Sequence, residues 1–136
     1  MDLISNKRPV ILMVDDDEKL LAAVRRTLAN NFDFVTFTDG KLALDWLSQN
    51  QSSVNLIIAD LIMPGLDGIS FLRQAAYMAP TISRMLLSGN VSSISLREAI
   101  SQAMVTRVLA KPVSSAVLKE AIDRVIAADS PTTKSA

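Results

Sequence analysis

The sequence predicts an α/β fold in which five strands form a parallel sheet with helices against both faces. Short, almost uninterrupted apolar runs recur along the chain, segments with helical apolar spacing separate them, and the two kinds alternate five times. Strands covered on both faces lose the polar–apolar alternation of a one-sided sheet, and alternation of strands with helices calls for right-handed crossovers between parallel neighbours. The 136 residues suit one domain with a substantial core.

The first strand is VILMV (10–14), and a helix is expected over 18–30, where Leu20, Leu21, Val24 and Leu28 share a face behind Asp17 as N-cap. FDFVTF (32–37) alternates in part, which suits an edge strand with one less covered face. Ala43, Leu44 and Leu47 mark a helix over 40–49 capped by Asp39. LIIA (56–59) is the third strand, and Ile69, Leu72, Ala75 and Ala76 define a helix over 68–78 that Pro80 stops. RMLL (84–87) is the fourth strand, followed by a helix over 92–104 carrying Leu96, Ala99, Ile100, Ala103 and Met104. RVLA (107–110) is the fifth, followed by a helix over 114–127 with Leu118, Ala121, Ile122, Val125 and Ile126 behind Ser114. Trp46 and Tyr77, the single Trp and Tyr, are expected to be half-buried packing residues. No internal repeat is found, and the tail ADSPTTKSA (128–136) reads as a frayed end or the start of a linker.

Composition excludes several kinds of chemistry. Fourteen Lys and Arg balance fourteen Asp and Glu, so bulk charge favours neither nucleic acid nor a membrane surface. No apolar run approaches the roughly 20 residues of a membrane span, and MDLISNKRP does not read as a secretory signal. The absence of cysteine rules out disulfides and thiolate metal sites and suits a cytoplasmic location. The absence of histidine rules out a Ser-His-Asp triad, His-ligated zinc and an internal phosphohistidine. Chemistry here must run on carboxylates, hydroxyls, lysine or a borrowed group.

The strands end in such groups. The first runs into Asp15 and Asp16, the third into Asp60, the fourth into Ser88 and the fifth into Lys111. In a parallel sheet these carboxyl ends share one edge, where open α/β sheets place their ligands. Taken singly, each Asp is an ordinary turn or cap residue, and Asp17 and Glu18 are assigned to the first turn of a helix, where the dipole favours acids. Three acids on one rim are another matter, because two unit charges about 4 Å apart repel by about 4 kcal/mol at an effective dielectric of about 20. One lysine cannot neutralise three carboxylates. A divalent cation can, and a set of oxygen ligands without His or Cys points to Mg²⁺ or Mn²⁺.

VDDD (14–17), DLIMPGLDG (60–68), LSG (87–89) and AKP (110–112) stand in an order and spacing that resembles the receiver domain of two-component response regulators. The resemblance covers residues 8–127 and leaves 128–136 as tail or linker. It implies a flavodoxin-like, doubly wound sheet in the order 2-1-3-4-5 with five helices. It further implies that Asp60 accepts a phosphoryl group from a partner's phosphohistidine. Asp15, Asp16, Asp60 and the backbone carbonyl of Ile62 would hold Mg²⁺ (or Mn²⁺), while Ser88 and Lys111 would contact the phosphoryl oxygens. Such a protein is a signalling phosphoprotein, not an enzyme with a separate substrate. Its partners would be a sensor histidine kinase or histidine phosphotransfer protein, and a homodimer or a downstream effector domain, with no membrane and no direct nucleic-acid contact. Lys111–Pro112 would be the family's cis peptide, and residues 91–104 with the last strand and helix its output face.

Within MPGLDG, Pro64 and Gly65 suit a tight turn, Asp67 a helix cap, and Gly68 a close backbone approach; Gly89 leaves room for its loop. Two positions depart from the family. Val108 replaces the usual aromatic three residues before the lysine and has no ring to swing, and Ser88 replaces the more frequent Thr while keeping the hydroxyl. Neither touches the phosphorylation chemistry. Three rivals fit less well. An aspartyl-phosphate hydrolase would want Thr or Val where Lys19 stands and would leave Asp60 without a role. A flavin module would meet Asp15 and Asp16 where it needs a phosphate cradle. A degenerate receiver, binding partners without phosphorylation, would not need Asp15, Asp16, Asp60, Ser88 and Lys111 all present.

Overall fold

The structure, a computed structural model, describes residues 7–89, 97, 98, 100, 101 and 105–129. Strands β1 (Val10–Val14), β2 (Asp33–Phe37), β3 (Leu56–Asp60), β4 (Ser83–Ser88) and β5 (Arg107–Ala110) are all parallel and lie in the order β2-β1-β3-β4-β5. Helices α1 (Glu18–Thr27), α2 (Gly40–Asn50), α3 (Gly68–Met78) and α4 (Ser115–Asp129) connect or follow them. Fold class and strand order are therefore those the sequence implies. The expected helix over 92–104 and the output face built on it lie mostly outside the described residues, though Arg97, Glu98, Ile100 and Ser101 are helical.

The continuous apolar runs have a simple physical origin. Successive strand residues point to opposite faces, so Ile11 and Met13 of β1 join one core while Leu12 and Val14 join the other, and all four are fully buried. Leu21 and Val24 of α1 and Leu118, Ala121, Ile122 and Val125 of α4 cover the first face. Ala43 and Leu47 of α2 and Phe71, Leu72 and Ala75 of α3 cover the second. β3 sits between β1 and β4 and is buried along its whole length.

β2 is an edge strand, as its partial alternation implies, with Phe34 to Phe37 half-buried. β5 lies at the opposite edge, where the order 2-1-3-4-5 puts it, but its apolar run is not covered on both faces as expected, and only Leu109 of its four residues is buried. An edge strand packs against one neighbour only, so an apolar run there need not be covered on both faces.

Helix starts follow the sequence closely. Asp17 Oδ1 accepts hydrogen bonds from the backbone N–H of Lys19 and Leu20, Asp39 Oδ1 from Lys41 and Leu42, Asp67 Oδ1 from Ser70, and Ser114 Oγ from Val117. Each satisfies donors that the first helical turn cannot. α4 runs two residues past its expected end at 127, and Ser83 Oγ donates to Asp129 Oδ2 across 2.6 Å at its last turn. Trp46 is half-buried, its ring 6.2 Å from that of Phe37. Tyr77 is not the packing residue expected. It is 95% exposed near the end of α3, whose buried side is already filled by Phe71, Leu72 and Ala75.

This contrast yields a stability test. Phe71→Ala should cost about 3–5 kcal/mol in urea unfolding, as large-to-small changes in a close-packed core do. Tyr77→Ser should stay within about 0.5 kcal/mol of the parent, since it removes no buried contact.

Candidate functional site

Parallel register brings the site together. Val14 pairs with Ala59, Asp60 with Leu87, and Ser88 with Ala110. One further step along the same ladders sets Asp15 beside Asp60 and Lys111 just beyond Ser88. The ladder hydrogen bonds extend over that step, so the site backbone is fixed by the sheet rather than left to loops. The N–H of Asp15 donates to Phe37 O across 3.1 Å, that of Leu61 to Leu87 O across 2.8 Å, and that of Lys111 to Ser88 O across 2.7 Å.

Carboxylate oxygens of Asp15, Asp16 and Asp60 lie within 4.8 Å of one another. Asp15 is fully buried, Asp60 is 6% exposed, and Asp16 is exposed. Asp15 Oδ1 accepts from the N–H of Asp17 at 2.9 Å, which orients the carboxylate. Its Oδ2 lies 2.8 Å from Lys111 Nζ, which also reaches Asp60 Oδ2 at 3.4 Å. Lys111 thus bridges the two buried acids, with its shorter contact to Asp15.

Burial, followed by the neighbouring charge of Asp15, raises the Asp60 carboxyl above its ordinary range; Lys111 relieves only part of this. Burial works against the Lys111 ammonium, yet its contact with Asp15 and then with Asp60 outweighs that and holds it above its ordinary value. Three carboxylates facing one ammonium leave excess negative charge on the rim. A hard divalent cation fits this donor set, which offers only oxygens.

The segment after Asp60 is held against it. Gly68 N–H donates to Leu61 O at 2.9 Å, and a Cβ on Gly68 would collide with the carbonyl oxygen of Asp60. Gly65 has φ of 80°, the left-handed conformation its turn requires. Ile62 lies in this loop with its side chain 65% exposed. Ser88 is buried at the end of β4, and the Lys111–Pro112 peptide is cis. Among the described residues, a Cβ on Gly89 would meet Lys111 Cβ at 3.9 Å, an ordinary contact.

The profile of the response regulator receiver domain matches residues 11–123. The chain belongs to this family. The receiver domain is 32% identical over 108 residues to the hydrogenase transcriptional regulatory protein HoxA of Cupriavidus necator, covering 79% of this chain and 22% of that protein. It is 35% identical over 118 residues to the transcriptional regulatory protein PrrA of Mycobacterium tuberculosis, covering 86% of this chain and 48% of that protein. The chain thus spans between about a seventh and a half of the length of these and other curated relatives it matches. Among solved structures it resembles the signal receiver domain of an HD domain-containing protein from Pseudomonas fluorescens. That likeness has a TM-score of 0.83 at 27% identity and covers 90% of this chain and 98% of that one. No helix among the described residues is long and apolar enough to cross a membrane.

All the side-chain positions singled out in the sequence fall on the same rim of the receiver domain. What the sequence did not reveal is the division of labour among them. Asp15 is the most deeply buried acid and the nearer partner of Lys111, so the lysine is shared between two strands' acids rather than reserved for Asp60. Gly68 makes the close backbone approach expected of it, against the carbonyl of Asp60.

Two tests follow from this geometry. Gly68→Ala should destabilise the receiver domain by about 1–3 kcal/mol in urea unfolding, because the collision is with backbone that cannot rotate away. Because the Asp60 carboxyl is raised when folded, its ionisation opposes folding: stability is full below the ordinary carboxyl range and is lost as the pH climbs through the raised value. Asp60→Asn should therefore raise the thermal midpoint at neutral pH in a chelator, with the gain shrinking as the pH falls towards the ordinary carboxyl range.

Proposed function

We propose that this receiver domain takes a phosphoryl group onto Asp60 from a partner's phosphohistidine. A carboxylate oxygen of Asp60 attacks the phosphorus, the P–N bond breaks, and the electron pair leaves with the imidazole nitrogen of the partner. The observation that carries the reading is that this carboxylate shares a rim with two further acids and a lysine within ion-pair reach. Its slight exposure admits an incoming phosphoryl group, while the ladder bonds on either side keep the strand ends from moving.

Phosphoryl transfer depends mainly on positioning and on neutralising developing charge. Asp15, Asp16, Asp60 and the Ile62 carbonyl would hold Mg²⁺ or Mn²⁺, which supplies part of that neutralisation when bound. Lys111 supplies the rest, its ammonium kept charged and aimed by Asp15 and Asp60. Ser88 would donate its hydroxyl to a phosphoryl oxygen once Asp60 is modified. Asp15, oriented by the Asp17 N–H, sets where the lysine head rests and does not itself meet phosphorus.

The donor would be a sensor histidine kinase or histidine phosphotransfer protein in the cytoplasm, and the response a change in partner binding, in self-association or in an attached effector. The only chemistry would be the protein's own phosphorylation and dephosphorylation. Residues 8–127 would form the unit, with 128–136 leading away from it.

Incubation with Mg²⁺ and a small acyl phosphate, followed by intact mass measurement, should add one phosphoryl group to the parent protein. A chelator or the Asp60→Asn change should abolish it. An unmodified parent protein, or a modified Asp60→Asn variant, would overturn the reading and favour a module that binds partners without phosphorylation.

A further inference from the structure

The α2–α3 surface carries features that the carboxyl rim does not use. Tyr77 stands almost wholly in solvent beside a hollow of about 470 Å³ that it lines with Arg73, Gln74 and Met78. Gln74 and Met78 continue into a second depression bordered by Lys41 and Asp45 of α2. Those two residues stand four apart on one helix, where opposite charges usually meet. Yet neither makes an ion pair with a described residue, whereas Lys119–Asp123 and Glu120–Arg124 on α4 both do.

A raised aromatic ring next to a hollow, and an unpaired cation next to an unpaired anion, form a surface that complements itself. A two-fold interface needs that property, because each residue must find its counterpart on an identical patch. Tyrosine also suits such a place, since its large rigid ring covers much area with little loss of freedom. Fourteen positive and fourteen negative side chains leave no net charge to keep copies apart.

The geometry points to the α2–α3 face as a docking surface for a second copy of this chain. Tyr77 of each copy seats in the hollow of the other, and Lys41 of each meets the other's Asp45. The inference uses no residue of the carboxyl rim and does not rest on the phosphotransfer reading.

Sedimentation velocity of the unphosphorylated chain, from low to high micromolar concentration, tests it. The parent protein should show concentration-dependent dimers, and Tyr77→Ser, with its thermal midpoint unchanged, should weaken the association roughly tenfold or more. Lys41→Asp and Asp45→Lys should each weaken it by roughly threefold, while the double exchange recovers parent affinity because opposite charges face each other again. A parent protein that stays monomeric throughout overturns the inference and leaves the face to a different protein. Dimers indifferent to Tyr77, or a double exchange no better than the single changes, overturn it as well.

Discussion

Mutual repulsion among acids at the carboxyl ends of β1 and β3, held in check by a lysine from the end of β5, is the constraint on which the site depends. Asp15 and Asp60 stand on neighbouring strands, and the parallel ladder sets their spacing before any side chain has a choice. Lys111 answers both across 2.8 and 3.4 Å, yet one ammonium cannot balance the group, and the Asp60 carboxyl stays raised. The fold tolerates this because β1 and β3 run through its most deeply buried part, where apolar packing on two faces holds the strand ends regardless of the charges. The excess negative charge on this rim is the kind that a bound cation would relieve.

The same economy explains the loop after Asp60. Gly68 presses on the carbonyl of Asp60 and donates its N–H to Leu61, while Asp67 caps α3. The loop is therefore stapled at both ends, with the left-handed Gly65 between them. Phe71 and Leu72, one turn further on, are fully buried against the sheet, so the loop runs directly into a packed helix. Val108, on the edge strand β5, packs against the same core as a half-buried aliphatic side chain. It offers packing and no ring that changes place.

Where reading from sequence succeeded, one local rule sufficed. Uninterrupted apolar runs fixed the parallel class, because strands buried on both faces have no polar positions to show. Acids and a serine ahead of each helix marked its start, because a short side chain there accepts N–H groups that nothing else can reach. Where it fell short, the deciding contact was remote. Tyr77 has the apolar body of a packing residue, but its side of α3 faces away from the sheet. The run 107–110 is as apolar as a central strand, but with a neighbour on one side only it buries Leu109 alone.

By itself the sequence determined the fold class, the helix starts, and which side chains end each strand, since these depend on residues near one another along the chain. Only the tertiary structure decided how those strand ends share charge. Asp15, Asp60 and Lys111 come from three strands, and their spacing is set by ladder register and the depth of burial, neither of which any stretch of sequence encodes alone. Distance and dielectric govern electrostatics, and both are properties of the assembled sheet.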